Sequence, residues 1–282
     1  MTIARVFPRR TNATPEDGLA FTAPPSEDFL NTLDSGGQKL DEVHISVAFT
    51  YDMVKAEKLA EAWRCASVPV KMGGPAFNVP GEDFVPGRYL KHGYVLTSRG
   101  CPRSCWFCSV PKREGGKLRE LPIREGFNVL DDNLLACSET HIRAVFDMLG
   151  GQPQKPIFTG GLEAALLQSW HVELLRRVKA ARIYFAYDTS DDLEPLAAAG
   201  KLLRDGGITK ASHRAACYVL IGYPGDTMLS AEVRLRAAWD AGFVPYAMLY
   251  RDGEGKVDSK WSQFQRSWLL PAIVMKRLKE AA

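Results

Sequence analysis

Over residues 1–42 the hydrophobic and polar positions follow no sustained period, and Pro, Thr, Asp, Glu and Gly dominate. That pattern predicts an extended amino-terminal arm with at most one helical turn. Regularity begins at residue 43. EVHISVAFT has the β-branched character of a strand, MVKAEKLAEAWRCA sets apolar residues at helical spacing, and VPVKMGGPAF predicts a short strand closed by a Gly-Gly-Pro turn. Residues 43–88 therefore form a short strand–helix–strand extension followed by a loop.

Over residues 89–252, short apolar runs alternate with helical periodicity. YVLTS, GFNVLDD, PIFTG, RIYFAYD, ACYVLIGY and VPYAMLY read as strands, with helices predicted over 138–149, 164–180, 191–203 and 227–241. Strands this uniformly apolar are covered on both faces, so the fold class is α/β with a six-stranded parallel sheet. Periodicity does not say whether that sheet stays open or curls into a partial barrel. Between the first two strands lies only the polar VPKREGGKLRELPIRE, broken by Gly115, Gly116 and Pro122, which predicts a short or missing first crossover helix. Residues 253–282 read as a helical tail interrupted near Pro271.

Composition adds boundaries. With 46% apolar and 24% charged residues in 282, the chain has the make-up of a globular protein. No run approaches the roughly 18 apolar residues of a membrane span, and no secretory signal precedes the first apolar segment. A cytoplasmic, reducing compartment without a membrane partner is the expectation. A net charge of +3 is too mild to identify a partner. The six cysteines are uneven: Cys65, Cys137 and Cys217 stand alone, with Cys65 and Cys217 expected to be buried on a helix and a strand.

The other three fall within RGCPRSCWFCSVPKREGG, where Cys101, Cys105 and Cys108 are spaced C-x3-C-x2-C. Thiolates are soft ligands for zinc, copper(I) or iron–sulfur clusters, and three this close converge on one centre if they bind metal. Structural zinc wants a fourth ligand. The next cysteine, Cys137, is 29 residues on, and His92 lies nine residues before Cys101. A zinc-stabilised nucleic-acid-binding or interaction module without catalysis therefore stands as one alternative. A four-iron cluster on three cysteines instead leaves one iron open to substrate or cofactor.

C-x3-C-x2-C directly after the first strand of a parallel α/β domain resembles the signature of radical S-adenosylmethionine (radical SAM) enzymes. The resemblance implies a partial (β/α)6 barrel in which the three cysteines hold a four-iron, four-sulfur (4Fe–4S) cluster. SAM would chelate its fourth iron. Reductive cleavage of S-adenosyl-L-methionine to a 5′-deoxyadenosyl radical, hydrogen abstraction from substrate and an external one-electron reductant such as a flavodoxin or ferredoxin are implied with it. Phe107, before the third cysteine, is implied to pack near adenine.

CSVPKREGG and NVLDDN are similar to the subgroup carrying an amino-terminal cobalamin-type domain, which makes Asp131, Asp132 and Asn133 candidates for the SAM amino group. Residues 43–77 resemble only a fragment of that domain and contain no D-x-H-x-x-G motif, so no cobalamin is expected.

Carboxyl ends of parallel strands are where such sheets bind ligands. There TGGLEA offers Gly160 and Gly161 for close backbone approach, with Glu163 at a helix start. AYDTSDD offers Asp188 and Ser190 for ribose or carboxylate contacts, with Thr189 and Asp192 also readable as a capping box. Gly222 of LIGYPGDT matches the family's fifth-strand glycine near adenine, and Tyr250 or Arg251 follow the sixth strand. Arg99, Arg103, Lys112, Arg113, Lys117 and Arg119 surround the cysteines and keep a nucleotide or nucleic acid among the candidate substrates. That rim would equally suit the SAM carboxylate or an acidic electron donor.

Overall fold

The computed structural model describes residues 1–35, 39–268 and 274. Two compact units are present, Met1–Val95 with Gly100–Lys117, and Leu96–Arg99 with the chain from Leu118 onward.

In the first unit β1 (Ile3–Val6), β2 (Ala20–Phe21), α1 (Glu27–Asp34), β3 (Glu42–Ser46), α2 (Met53–Trp63) and β4 (Val70–Gly73) build a parallel sheet of order β2-β1-β3-β4. The amino-terminal residues are thus not an extended arm. Ala4 and Val6 are fully buried, and β1 pairs with β3 from Ile3↔Glu42 to Val6↔Ile45. Four residues are too few to show a period, and the gain comes from the partner strand. α1 is capped by Ser26, whose hydroxyl accepts the Phe29 N–H. Trp63 at the end of α2 is fully buried, packs edge-on against Phe29 and tilted against Phe21, and donates its indole N–H to Ala23 O at 3.1 Å.

The opposite sheet face is polar. Arg5, also buried, donates to Gly87 O at 2.6 Å and Arg88 O at 3.2 Å and pairs with Asp17. His44 lies between the Tyr89 hydroxyl and the Glu42 carboxylate, 2.6 Å from each. Cys65, expected to be buried, is exposed: α2 has ended, and the residue sits in the 3-10 turn Arg64–Ala66, donating to Ala62 O at 3.0 Å.

The longer alternation runs through β5 (Tyr94–Val95), β6 (Ser98–Arg99), α3 (Val110–Glu114), β7 (Arg119–Glu120), β8 (Asn128–Val129), α4 (Glu139–Gly150), β9 (Ile157–Phe158), α5 (Ser169–Arg177), β10 (Arg182–Ala186), α6 (Leu193–Asp205), β11 (Ala215–Ile221), α7 (Met228–Asp240), β12 (Val244–Leu249) and α8 (Ser259–Arg266). The larger sheet has the order β12-β11-β10-β9-β8-β5, so its strands are neighbours in chain order, and β8 through β12 are parallel. The chain is accordingly α/β with parallel sheets.

The first crossover holds only the five-residue α3, and β6 and β7 pair antiparallel. Later helices start on side-chain caps, Ser138 accepting the His141 N–H and Thr227 the Ser230 N–H. Phe146, Phe158, Ile183, Phe185, Val219 and Phe243 are buried in the core between sheet and helices. α6 approaches the end of α7 so closely that a Cβ on Gly200 would stand 1.9 Å from Ala241 O. No described helix is long and apolar enough to cross a membrane. The break expected near Pro271 lies outside the described residues.

Candidate functional site

All six cysteines are thiols. Cys101, Cys105 and Cys108 are half-buried, a turn closes from the Cys108 N–H to Cys105 O at 3.0 Å, and the Arg103 N–H approaches Cys101 Sγ at 3.4 Å. Among the described residues no group of three or more His, Cys, Asp or Glu side chains is drawn together tightly enough to hold a metal ion. Phe107 is half-buried and meets Trp106 edge-on at 5.4 Å, while Trp106 is 56% exposed. Arg103, Lys112 and Lys117 are exposed, and the loop's acidic residue, Glu114, is buried against Arg113 at 2.9 Å.

The strand ends of the second unit hold the other candidates. Asp131, two residues beyond the end of β8, is 1% exposed. Its Oδ1 accepts the Thr97 N–H at 2.6 Å, and its Oδ2 accepts the Thr97 and Ser98 hydroxyls at 2.5 and 2.8 Å. Burial pushes the carboxyl above its usual range, with those donors pulling the other way. This carboxylate is committed to the segment that precedes the cysteine loop in the chain. Beside it Gly160 is a necessity of packing, since a Cβ there would meet Asp131 O at 2.3 Å. The close approach anticipated at this glycine is made by the protein's own backbone. Gly161 adopts φ +91°.

Asn133 donates its amide N–H to Glu163 Oε2 at 2.6 Å, so Glu163 bridges the ends of β8 and β9 and makes no capping bond to its own helix. Asp131, Asn133, Gly160 and Glu163 are therefore brought together, with Asp132 half-buried next to them. Cys137 lies in the same neighbourhood. Burial drives its thiol up to about 12, with Asp131 and Glu120 adding to the rise and the Ser98 hydroxyl opposing it.

Along β10, Thr189 and Asp192 form the capping box, and Asp192 Oδ2 accepts the N–H of Asp188 and of Thr189. Ser190 is exposed and hydrogen-bonds Asp191. Asp188 accepts the Leu220 N–H at 3.0 Å, and burial raises its pKa to about 6, helped by Asp192.

Gly222 has φ +73°, and a Cβ on it would collide with Leu249 at 2.8 Å and with the Trp261 ring at 3.0 Å. What closes over this glycine is thus Trp261 of α8. The turn after it is pinned by a buried pair: Asp226 accepts the Gly222 N–H and the Arg234 guanidinium, both at 2.8 Å, and Arg234 also donates to Leu220 O at 3.0 Å. Tyr250 half-faces solvent, and Arg251 is exposed.

Sequence reasoning missed Thr97 and Ser98 as partners of Asp131, the Arg234 clasp, and the three stacked or edge-packed tyrosines Tyr184, Tyr218 and Tyr246. The tyrosines carried a signal, one on each of β10, β11 and β12: Tyr218 pairs with Tyr246, and Tyr184 lies two register positions from Tyr218 on the same face. The clasp and the Thr–Ser donors carried none. In comparison with known proteins, no family model and no curated protein matches the chain.

Proposed function

We propose that the chain is a radical SAM-type enzyme, with a 4Fe–4S cluster on Cys101, Cys105 and Cys108, S-adenosylmethionine completing it, and the chain-ordered sheet as a partial (β/α)6 barrel. The observation that carries the reading is a three-thiol loop following the first strand of a sheet whose strands lie in chain order. The donor set fits such a cluster: three soft, half-buried thiols within eight residues, with no fourth cysteine or histidine in the loop. When bound, that group supplies one-electron reductive cleavage of SAM and removal of a hydrogen atom from substrate.

The chain's own residues position and protect. The Cys105–Cys108 turn fixes two thiols at one spacing, and Gly115 and Gly116, at φ +71° and +69°, turn the chain back after α3. Asp131 locks Thr97 and Ser98 and so fixes the strand that runs into the loop. The Asn133–Glu163 bond presents an amide and a carboxylate in one fixed geometry, suited to a cofactor ammonium group. Asp188 holds the Leu220 N–H on Oδ1 and retains its proton up to about pH 6. The reading takes a flavodoxin or ferredoxin as reductant, a nucleotide or nucleic acid as substrate class, and no cobalamin.

Anaerobic reconstitution with iron and sulfide tests it. The expected result is brown protein with about four irons per chain and absorbance near roughly 400 nm. With SAM and a strong reductant it should release 5′-deoxyadenosine, and the Cys101→Ser/Cys105→Ser/Cys108→Ser variant should do neither. Colourless protein retaining one tight zinc overturns the proposal.

A further inference from the structure

Successive residues of β10, β11 and β12 turn to opposite faces of the sheet. Ile183, Phe185, Cys217 and Val219 turn to the core and are fully buried. On the other face the register sets Tyr184, Ala216 and Val244 in one row across the three strands, with Tyr218 and Tyr246 paired in the next row toward the carboxyl ends. An alanine between a tyrosine and a valine leaves a dent. Over it, on the amino-terminal half of the strands, lies a cavity of about 150 Å³ lined by Arg182, Tyr184, Ala216, Val244, Pro245 and Tyr246, with Val274 completing the wall. The aromatic side is fixed in place: Tyr184 stacks on Tyr218 with ring centroids 4.5 Å apart, Tyr246 meets the two edge-on at 6.5 and 5.6 Å, and the Tyr218 hydroxyl donates to Thr159 O at 3.3 Å. Walls that are already ordered lose little freedom when a ligand enters.

One charge serves this cavity. The half-buried Arg182 guanidinium donates to His213 O at 2.8 Å and has no acidic partner among the described residues. The Tyr184 and Tyr246 hydroxyls are likewise without a hydrogen-bond partner among the described residues. Burial raises the Tyr184 phenol above its usual pKa, Tyr246 adding to the rise and Arg182 opposing it, so the phenol keeps its proton and can donate. A guanidinium fork with two hydroxyls beside it suits one carboxylate. The rest of the lining, Ala216, Val244, Pro245 and Val274, is apolar and would leave the further charged oxygens of a phosphate unmatched. A volume of about 150 Å³ is that of a cavity able to take one benzene ring, so the body of the ligand is a single ring or a short branched chain.

We infer that this cavity binds a small apolar monocarboxylate, its carboxylate on the Arg182 guanidinium and a tyrosine hydroxyl, its body over Ala216 against Val244 and Pro245. Neither the cysteine loop nor the carboxyl ends of the strands are called on, so the site stands whatever group the cysteines hold.

Isothermal titration calorimetry of the reconstituted chain and of its triple Cys→Ser variant with benzoate, isovalerate, their neutral amides and inorganic phosphate tests it. At least one of the two carboxylates should saturate a single site per chain with the same Kd in both proteins, and its amide and phosphate should bind at least roughly tenfold more weakly. Arg182→Gln should weaken the carboxylate roughly 10- to 150-fold, the cost of losing hydrogen bonds to a charged group. Tyr184→Phe combined with Tyr246→Phe keeps the rings and should weaken it roughly 2- to 10-fold. Ala216→Leu should fill the dent and abolish binding, and Ala216→Val should weaken it in the same direction if circular dichroism shows that the leucine variant does not fold. Failure of both carboxylates to saturate would overturn the assignment, as would an amide or phosphate that binds as tightly, or unchanged binding in the Arg182 or Ala216 variants. Binding to reconstituted protein that vanishes in the triple Cys→Ser variant would move the ligand to the cysteine loop and overturn it equally.

Discussion

Asp188→Asn isolates the cost of a buried charge at the end of β10. The carboxyl accepts the Leu220 N–H at 3.0 Å, and burial first, then Asp192, raise its pKa from 3.8 to about 6, with the Leu220 bond and Arg234 opposing. In the folded chain Asp188 therefore holds its proton to about pH 6, whereas in the unfolded chain it releases it near 3.8. Between those values the folded state carries the extra proton, so stability falls as pH rises. Below the window both states are protonated and the residue costs nothing. Above it the full cost is present, and a rise of roughly two units corresponds to about 3 kcal/mol.

Asparagine keeps the carbonyl oxygen for the Leu220 N–H and cannot ionise. The variant should match the wild type near about pH 4 and exceed it by about 1–3 kcal/mol near about pH 7.5. Urea denaturation followed by circular dichroism at both pH values, at constant ionic strength and with unchanged m, measures the difference. A variant less stable than wild type at the higher pH would refute the reasoning, as would a gain of equal size at both.

Asp131→Ala strips the acceptor from three donors on Thr97 and Ser98, both fully buried, and should cost about 3–5 kcal/mol in the same denaturation assay. Asp131→Asn, against which the two hydroxyls can rotate, should cost about 1–2 kcal/mol. Gly200→Ala would drive a methyl into Ala241 O, 1.9 Å from the ideal Cβ, and should lose about 1–3 kcal/mol, read as a lowered Tm. Arg234→Met leaves the Asp226 carboxylate, whose side chain is 0% exposed, without its counter-charge and should cost about 3–5 kcal/mol. Adding Asp226→Asn to Arg234→Met should recover part of that loss.

The α/β alternation was legible because a parallel strand buried on both faces writes a run such as ACYVLIGY, and because Ser138 and Thr227 announce their helices. Partners were not legible. IARV at residues 3–6 gives no sign that it will pair with Glu42–Ser46, since strand pairing is decided by burial across the interval rather than by propensity. Asp131 stood out in NVLDDN, yet its work depends on two hydroxyl residues 34 and 33 positions earlier. Gly222 was visible as a turn glycine, while the reason it cannot be larger sits on α8. Cys65 shows the same limit on a short scale: helical spacing placed it inside, and the helix stopped two residues before it.

The division of the chain has a consequence for anyone who would cut it. The backbone passes from one unit to the other three times, after Val95, after Arg99 and after Lys117. A single cut delivers neither unit free of residues of the other: a fragment ending at Lys117 carries Leu96–Arg99 with it, and one beginning at Leu96 carries Gly100–Lys117. A fragment begun near residue 89 would keep the cysteine loop and forfeit the parallel sheet of Ile3–Val6 and Glu42–Ser46 that belongs to the same body. Transplanting that body into another protein would likewise require carrying two separate stretches of sequence, Met1–Val95 and Gly100–Lys117.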